Sequence, residues 1–234
     1  MEMFAGAASL AVRDLIDGVP VRGRVVAVFP SCAYVDLGGR LLALETWDGL
    51  RLPCAVTLAE PAARRPLAHV PIGAEVQISV TRWWAPTRPR GAVAPGDLTA
   101  PSPGWDDVVL GLLGRGPGLT PAGDDLLAGL LLGLAGSPEL RDPLAAAVLR
   151  HGPARTTWLS AELLRHAVAG HGVPAAVAVA DAMAGHGPPD ALARALPALL
   201  AVGHTSGAAL ARGLLLAAET LAGRQPLNRT EAVA

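Results

Sequence analysis

Hydrophobic and polar positions change rhythm along the chain near residue 100. Before it, apolar residues come in short runs rich in β-branched side chains. Val21–Phe29 alternates, Ala33–Leu37 follows, and Arg40–Glu45 comes after Gly38-Gly39. A Gly-Gly pair between two apolar runs is a hairpin signal, because such turns need positive φ. Cys54–Leu58 and Glu75–Val80 are further strand candidates, with Pro and Gly in each gap. Residues 1–85 are therefore read as a β-rich domain, a barrel or curled sheet whose strands start near residue 20.

Residues 86–104 contain Pro86, Pro89, Pro95, Pro101 and Pro103, so they are expected as a linker rather than a regular helix or inner strand. From Trp105 the period becomes helical. Trp105–Leu113 is short, and Ala122–Ala135 is apolar almost all round, which places it at the centre. Pro138–Arg150, Ala154–Ala169, Pro174–Ala184, Asp190–Val202 and Gly207–Ala222 follow. Breaks are expected at Gly136, Gly152-Pro153, Gly170–Gly172, Gly185–Pro189 and Gly203. The fold class is thus α+β: a β domain followed by a bundle of about six or seven helices over 105–224, then a polar tail, 225–234.

Two helix starts echo each other. Gly118-Leu-Thr-Pro-Ala-Gly123 leads to Gly129-Leu-Leu-Leu132, and Gly203-His-Thr-Ser-Gly207 leads to Gly213-Leu-Leu-Leu216. In each, the last two glycines are six positions apart. Either two core helices begin alike, or two helix N-termini face one another across a shared site.

Composition narrows the function. Hydrophobic residues make up 51% and charged ones 17%, so part of the thinly charged surface is expected to serve contacts, as in a homo-oligomer. The net charge of −1 provides no field for nucleic acid or an anionic membrane. All 19 basic residues are Arg, which removes lysine chemistry and leaves Arg and backbone N–H groups for anions. Cys32 and Cys54 are read as buried free thiols. Glu2, Arg13, Asp14 and Asp17 interrupt any signal peptide, and Leu126–Ala135 is too short to span a bilayer, so a cytoplasmic protein is expected.

The densest chemistry lies in Gly114–Asp125. Gly114, Gly116 and Gly118 permit unusual backbone angles. Thr120 suits an N-cap and Pro121 the first helical position. The free N–H groups of Gly123 and its neighbours would then favour an anion, with Arg115 adding a bidentate contact. Asp124 and Asp125 point roughly 100° apart on a helix, so at most one faces the site and the other caps N–H groups or binds Arg. Both are also favourable charges at a helix N-terminus. Neither a Walker loop nor a dinucleotide fingerprint is present. No residues are assigned as metal ligands and no cofactor is required, although two carboxylates beside a phosphate suit Mg²⁺ held through water.

Other candidates surround this segment. Thr156, Thr157 and Ser160 open a helix and supply hydroxyls, Thr156 being a candidate cap. His204 is either a proton carrier or a surface turn residue. Thr205, Ser206 and Gly207 cap the last helix or bind an anion. His166 and His171, five apart, read as helix-end residues favoured by the dipole. Trp83-Trp84 either packs the β domain on the linker, the favoured reading, or stacks on a ligand.

Gly116-Pro-Gly-Leu-Thr-Pro-Ala-Gly-Asp-Asp125, continued by Leu127 and Gly129, resembles the signature of a bacterial family whose named member is AllH, a subunit associated with oxamate carbamoyltransferase in allantoin breakdown. Thr156-Thr157, Ser160, Gly170, Gly203–Gly207 and Gly213 are similar to further family features. The resemblance implies carbamoyl transfer between carbamoyl phosphate and oxamate in a multi-subunit enzyme. Gly116, Gly118, Leu119, Thr120 and Gly123 would hold a small anionic metabolite, and Asp124, Asp125 and His204 would serve the reaction. The chain departs from the family where an Asp is expected two residues after Ser206-Gly207; Ala208-Ala209 stand there. Three readings remain open: a transferase or its catalytic subunit, a non-catalytic assembly subunit, and a small-anion sensor.

Overall fold

The computed structural model describes residues 1–17, 19–91 and 104–223. The expected polar tail and most of the Pro-rich linker lie outside the described residues. The chain divides between Thr87 and Arg88 into two compact units.

The first unit is a closed six-stranded barrel. Its strands are β1 (Glu2–Ser9), β2 (Val21–Val28), β3 (Cys32–Asp36), β4 (Leu41–Glu45), β5 (Ala55–Leu58) and β6 (Glu75–Trp84). The order around the barrel is β1-β5-β4-β3-β2-β6. β1–β6 and β4–β5 are parallel and the other pairs antiparallel. Gly38 and Gly39, at φ 77° and 94°, make the turn from β3 to β4 that their pairing predicts. Val35, Leu42, Leu44, Val56, Val76 and Ile78 are buried in its core.

The barrel departs from expectation at both ends. β1 was not foreseen, since its Ala- and Gly-rich sequence has no β-branched residue. β6 continues past Val80 to Trp84, whose indole donates to the Ala7 carbonyl at 3.1 Å. Arg13 lies over Trp83 and Arg51 over Trp84. The tryptophans thus serve packing. Cys32 and Cys54 are free and buried.

The second unit holds seven helices among the described residues: α1 (Trp105–Leu112), α2 (Ala122–Gly133), α3 (Pro138–Arg155), α4 (Trp158–Val168), α5 (Pro174–Met183), α6 (Ala191–Leu200) and α7 (Ser206–Leu221). α2 packs on α1, α3, α4, α5 and α7. Its Leu127, Leu130 and Leu131 join one buried cluster, while Leu132 faces another beside α5 and α7. Each such leucine contributes roughly 2 kcal/mol by burial. No described helix is long and apolar enough to cross a membrane.

The expected break at Gly152-Pro153 is corrected: α3 runs through Pro153 to Arg155, and α4 starts at Trp158, not Ala154. Proline removes one N–H bond, a cost an exposed ring close to the helix end keeps small. The boundary is set instead by Thr157, whose hydroxyl accepts from the Ser160 N–H at 3.1 Å. Thr157, not Thr156, is therefore the cap of α4.

Candidate functional site

The two glycine-led helices pack side by side and parallel. Gly129 of α2 lies against the Leu210 backbone, Gly213 of α7 against the Leu126 backbone, and Gly133 against Ala217. At the shared N-terminal end, the hydroxyls of Thr120 and Ser206 are 2.9 Å apart. The two helix starts therefore adjoin at one end of the seam as parallel neighbours. Gly123 and Gly207 repeat a second feature: each leans on the carbonyl of the helix before it, at Leu112 and Leu199.

The loop into α2 is built on glycine. Gly114, Gly116 and Gly118 have φ of 71°, 109° and 97°. The Gly123 N–H donates to the Arg115 carbonyl at 2.9 Å, so one first-turn donor expected to be open for an anion is used by the loop itself. Pro121 is the N-cap residue: its carbonyl accepts from the N–H groups of Asp124 and Asp125. Thr120 is one residue outside and caps nothing; its hydroxyl turns to Ser206, and Pro121 is not the first helical residue. Ser206 likewise is the first residue of α7, whose N-cap Thr205 makes no side-chain cap bond.

The adjacent carboxylates part, as their angular separation on a helix requires. Asp124 is 1% exposed. Its Oδ1 accepts the Gly114 N–H at 2.8 Å and its Oδ2 accepts from the Thr156 hydroxyl. The Thr157 hydroxyl donates to the Leu119 carbonyl. Asp124, Thr156 and Thr157 thereby fasten the glycine loop to the start of α4.

Asp125 faces the other way. It is 7% exposed, and its Oδ2 has no hydrogen-bond partner among the described residues. Burial pushes its carboxyl up to about 6; the Ser206 hydroxyl opposes this, Asp124 adds to it, and Thr120 opposes it again. At neutral pH the group is therefore mostly an ionised, incompletely solvated acceptor beside two hydroxyls.

The structure thus brings together Thr120, Asp125 and Ser206, and separately Gly114, Asp124 and Thr156. Arg115, Gly116, Gly118 and Leu119 are exposed on the loop, and His204 and Thr205 are exposed in the turn before α7. Gly123, Ser160 and Gly207 are buried. Among the described residues no group of three or more His, Cys, Asp or Glu is arranged to hold a metal ion.

His166 lies in the last turn of α4 and His171 just beyond it, as expected of helix-end residues, but they are set into the protein rather than on its surface. His166 is buried on α4 with its Nε2 3.4 Å from Oε1 of the buried Glu162, and the two imidazoles are 6.2 Å apart. His171 Nδ1 is buried without a hydrogen-bond partner. Burial, then Arg88 and His166, bring His171 down to about 4. The Glu162–His166 spacing of four was the available signal for this pair.

Residues 112–218 match the family model described as oxamate carbamoyltransferase subunit AllH. The match covers both glycine-led helix starts and everything between them, and it supports an AllH-like family assignment. No curated protein and no solved structure matches the chain.

Proposed function

We propose that this AllH-like chain is a subunit of a carbamoyl-transferring enzyme that acts on a small anionic metabolite at the junction of the α2 and α7 N-termini. The observation that carries the reading is Asp125: a buried carboxylate with an unpaired oxygen, set beside the Thr120–Ser206 hydroxyl pair. Helix N-termini favour anions and developing negative charge. Arg115 and the exposed loop glycines lie at the rim, where an anionic group arrives.

Oxamate, the substrate in the family's description, has a weakly nucleophilic amide nitrogen. In the proposed step this nitrogen attacks the carbonyl carbon of carbamoyl phosphate, a C–N bond forms, and the C–O bond to phosphate breaks. Phosphate leaves with the electron pair, and the amide proton passes to Asp125. A base with a pKa near 6 keeps its ionised form at pH 7 while remaining able to take a proton. Asp124 acts through the loop it holds and is a positioning residue.

A non-catalytic role within the same assembly is the second reading. Leu119 and Trp158 are 45% and 61% exposed and flank the loop at the Thr157–Leu119 hydrogen bond, a suitable rim for partner subunits. Turnover by the assembled enzyme carrying Asp125→Asn separates the readings. Catalysis at this site predicts a kcat drop of about 10²–10⁴-fold with assembly intact. Unchanged turnover would assign the chain the assembly role.

A further inference from the structure

The α2–α7 seam repeats itself under a shift of 84 positions, which carries Leu126 to Leu210 and Gly129 to Gly213. The same shift carries Gly123 to Gly207, and each of these leans on the carbonyl of its preceding helix. Under it, Asp124 and Asp125 fall on Ala208 and Ala209. The two adjoining helix starts therefore match in backbone and differ in charge. The first turn of α2 holds two carboxylates and that of α7 none.

The geometry points to a polarised ligand site between these N-termini, in which Asp125 receives a hydrogen-bond donor such as a primary amide NH₂ and the carboxylate-free start of α7, with Ser206, receives the ligand's anionic end. The inference rests on the proposed carbamoyl-transfer reading and deepens it, by giving the site a direction. The unpartnered Oδ2 of Asp125 lacks a donor, and an amide N–H supplies one. A phosphate or a dicarboxylate would instead set anion against anion where water is scarce. The start of α7 offers the positive end of its dipole without a competing carboxylate. Ala209, half-buried in that first turn, becomes the specificity-determining position.

Calorimetric titration of the full chain at pH 7.5 tests this with oxamate and oxalate, which differ only in exchanging NH₂ for O⁻, and with inorganic phosphate. Oxamate is expected to bind about tenfold tighter than oxalate or more, as one charge-assisted hydrogen bond provides. Asp125→Asn should erase that preference, and Ala209→Asp should weaken both ligands about tenfold by facing their common carboxylate with another. Ser206→Ala, a change that leaves charge untouched, should weaken both by several-fold, and thermal melts check that every variant is folded. Oxalate or phosphate binding as tightly as oxamate overturns the polarity, as does an Ala209→Asp variant with unaltered affinities or an absence of binding by all three probes. Turnover of the assembled enzyme is scored separately. An oxamate preference in an assembly that transfers no carbamoyl group would remove the transferase reading and leave the polarity standing.

Discussion

Gly129 and Gly213 hold a reciprocal contact across the α2–α7 seam: a Cβ on Gly129 would come 2.2 Å from the Leu210 carbonyl oxygen, and one on Gly213 2.1 Å from that of Leu126. Both obstacles are backbone, so neither can swing aside. Gly129→Ala and Gly213→Ala should each cost about 1–3 kcal/mol in urea unfolding. Gly111, in α1 with open space around it, is the control, and Gly111→Ala should stabilise by about 0.5–1 kcal/mol. Equal effects at all three positions would show that the close seam is not what the glycines serve.

Asp124 has a separate, measurable task. Replacing it by Ala strands the Gly114 N–H and the Thr156 hydroxyl. A loss of about 2–6 kcal/mol is expected, from two stranded groups at roughly 1–3 each. Thr156→Val should cost less, and in the double variant the two losses should fall short of additive, since both remove one bond.

Glu45 sets one pH dependence. It is buried in the barrel, its Oε2 accepts the Leu52 N–H at 3.1 Å, and burial pushes its carboxyl up to about 7 against this bond. The folded state therefore holds the proton more tightly than the unfolded chain does. The stabilisation from its neutral form is complete below pH 4.5 and is lost as pH rises through 7. Glu45→Gln should flatten the stability of the barrel unit between pH 4.5 and 7; an unaltered slope would exclude Glu45 as its source.

His171 works in the opposite sense. Its folded value of about 4 lies below its ordinary 6.5, so its neutral form is the stabilised one. Its contribution is present above pH 6.5 and falls away as pH drops towards 4. His171→Phe, which cannot be protonated, should remove this acid sensitivity, read as the change in denaturation midpoint between pH 7 and pH 5.

The sequence is most informative where periodicity is strong. α2 is legible as the central helix because Leu126, Leu127, Leu130 and Leu131 leave no polar face, and the Gly38-Gly39 turn because few other residues accept both φ values. β1 escapes because Ala and Gly carry little strand preference, and its burial depends on strands distant in the sequence. The α3–α4 boundary escapes because an exposed proline near a helix end costs little, and the Thr157 cap that sets the boundary comes after it. At the site, glycine spacing marks both helix starts, and adjacency alone separates Asp124 from Asp125. That Thr120 reaches Ser206 rather than capping α2 depends on α7 arriving beside it, which local pattern does not encode.

The position of β1 has a consequence for how the barrel forms. Glu2 pairs with Val76 and Ser9 with Trp84, and the hydroxyls of Ser79 and Thr81 donate to carbonyls 75 positions earlier. During synthesis, the first strand made must wait for the last before the cylinder can shut. The β2–β3–β4 meander can assemble locally, but closure carries the entropy of a long loop and should be the slow event. Until then the edges of β1 and β2 that β6 will cover stay open, so a nascent chain halted before Glu75 would present strand edges that the finished barrel hides.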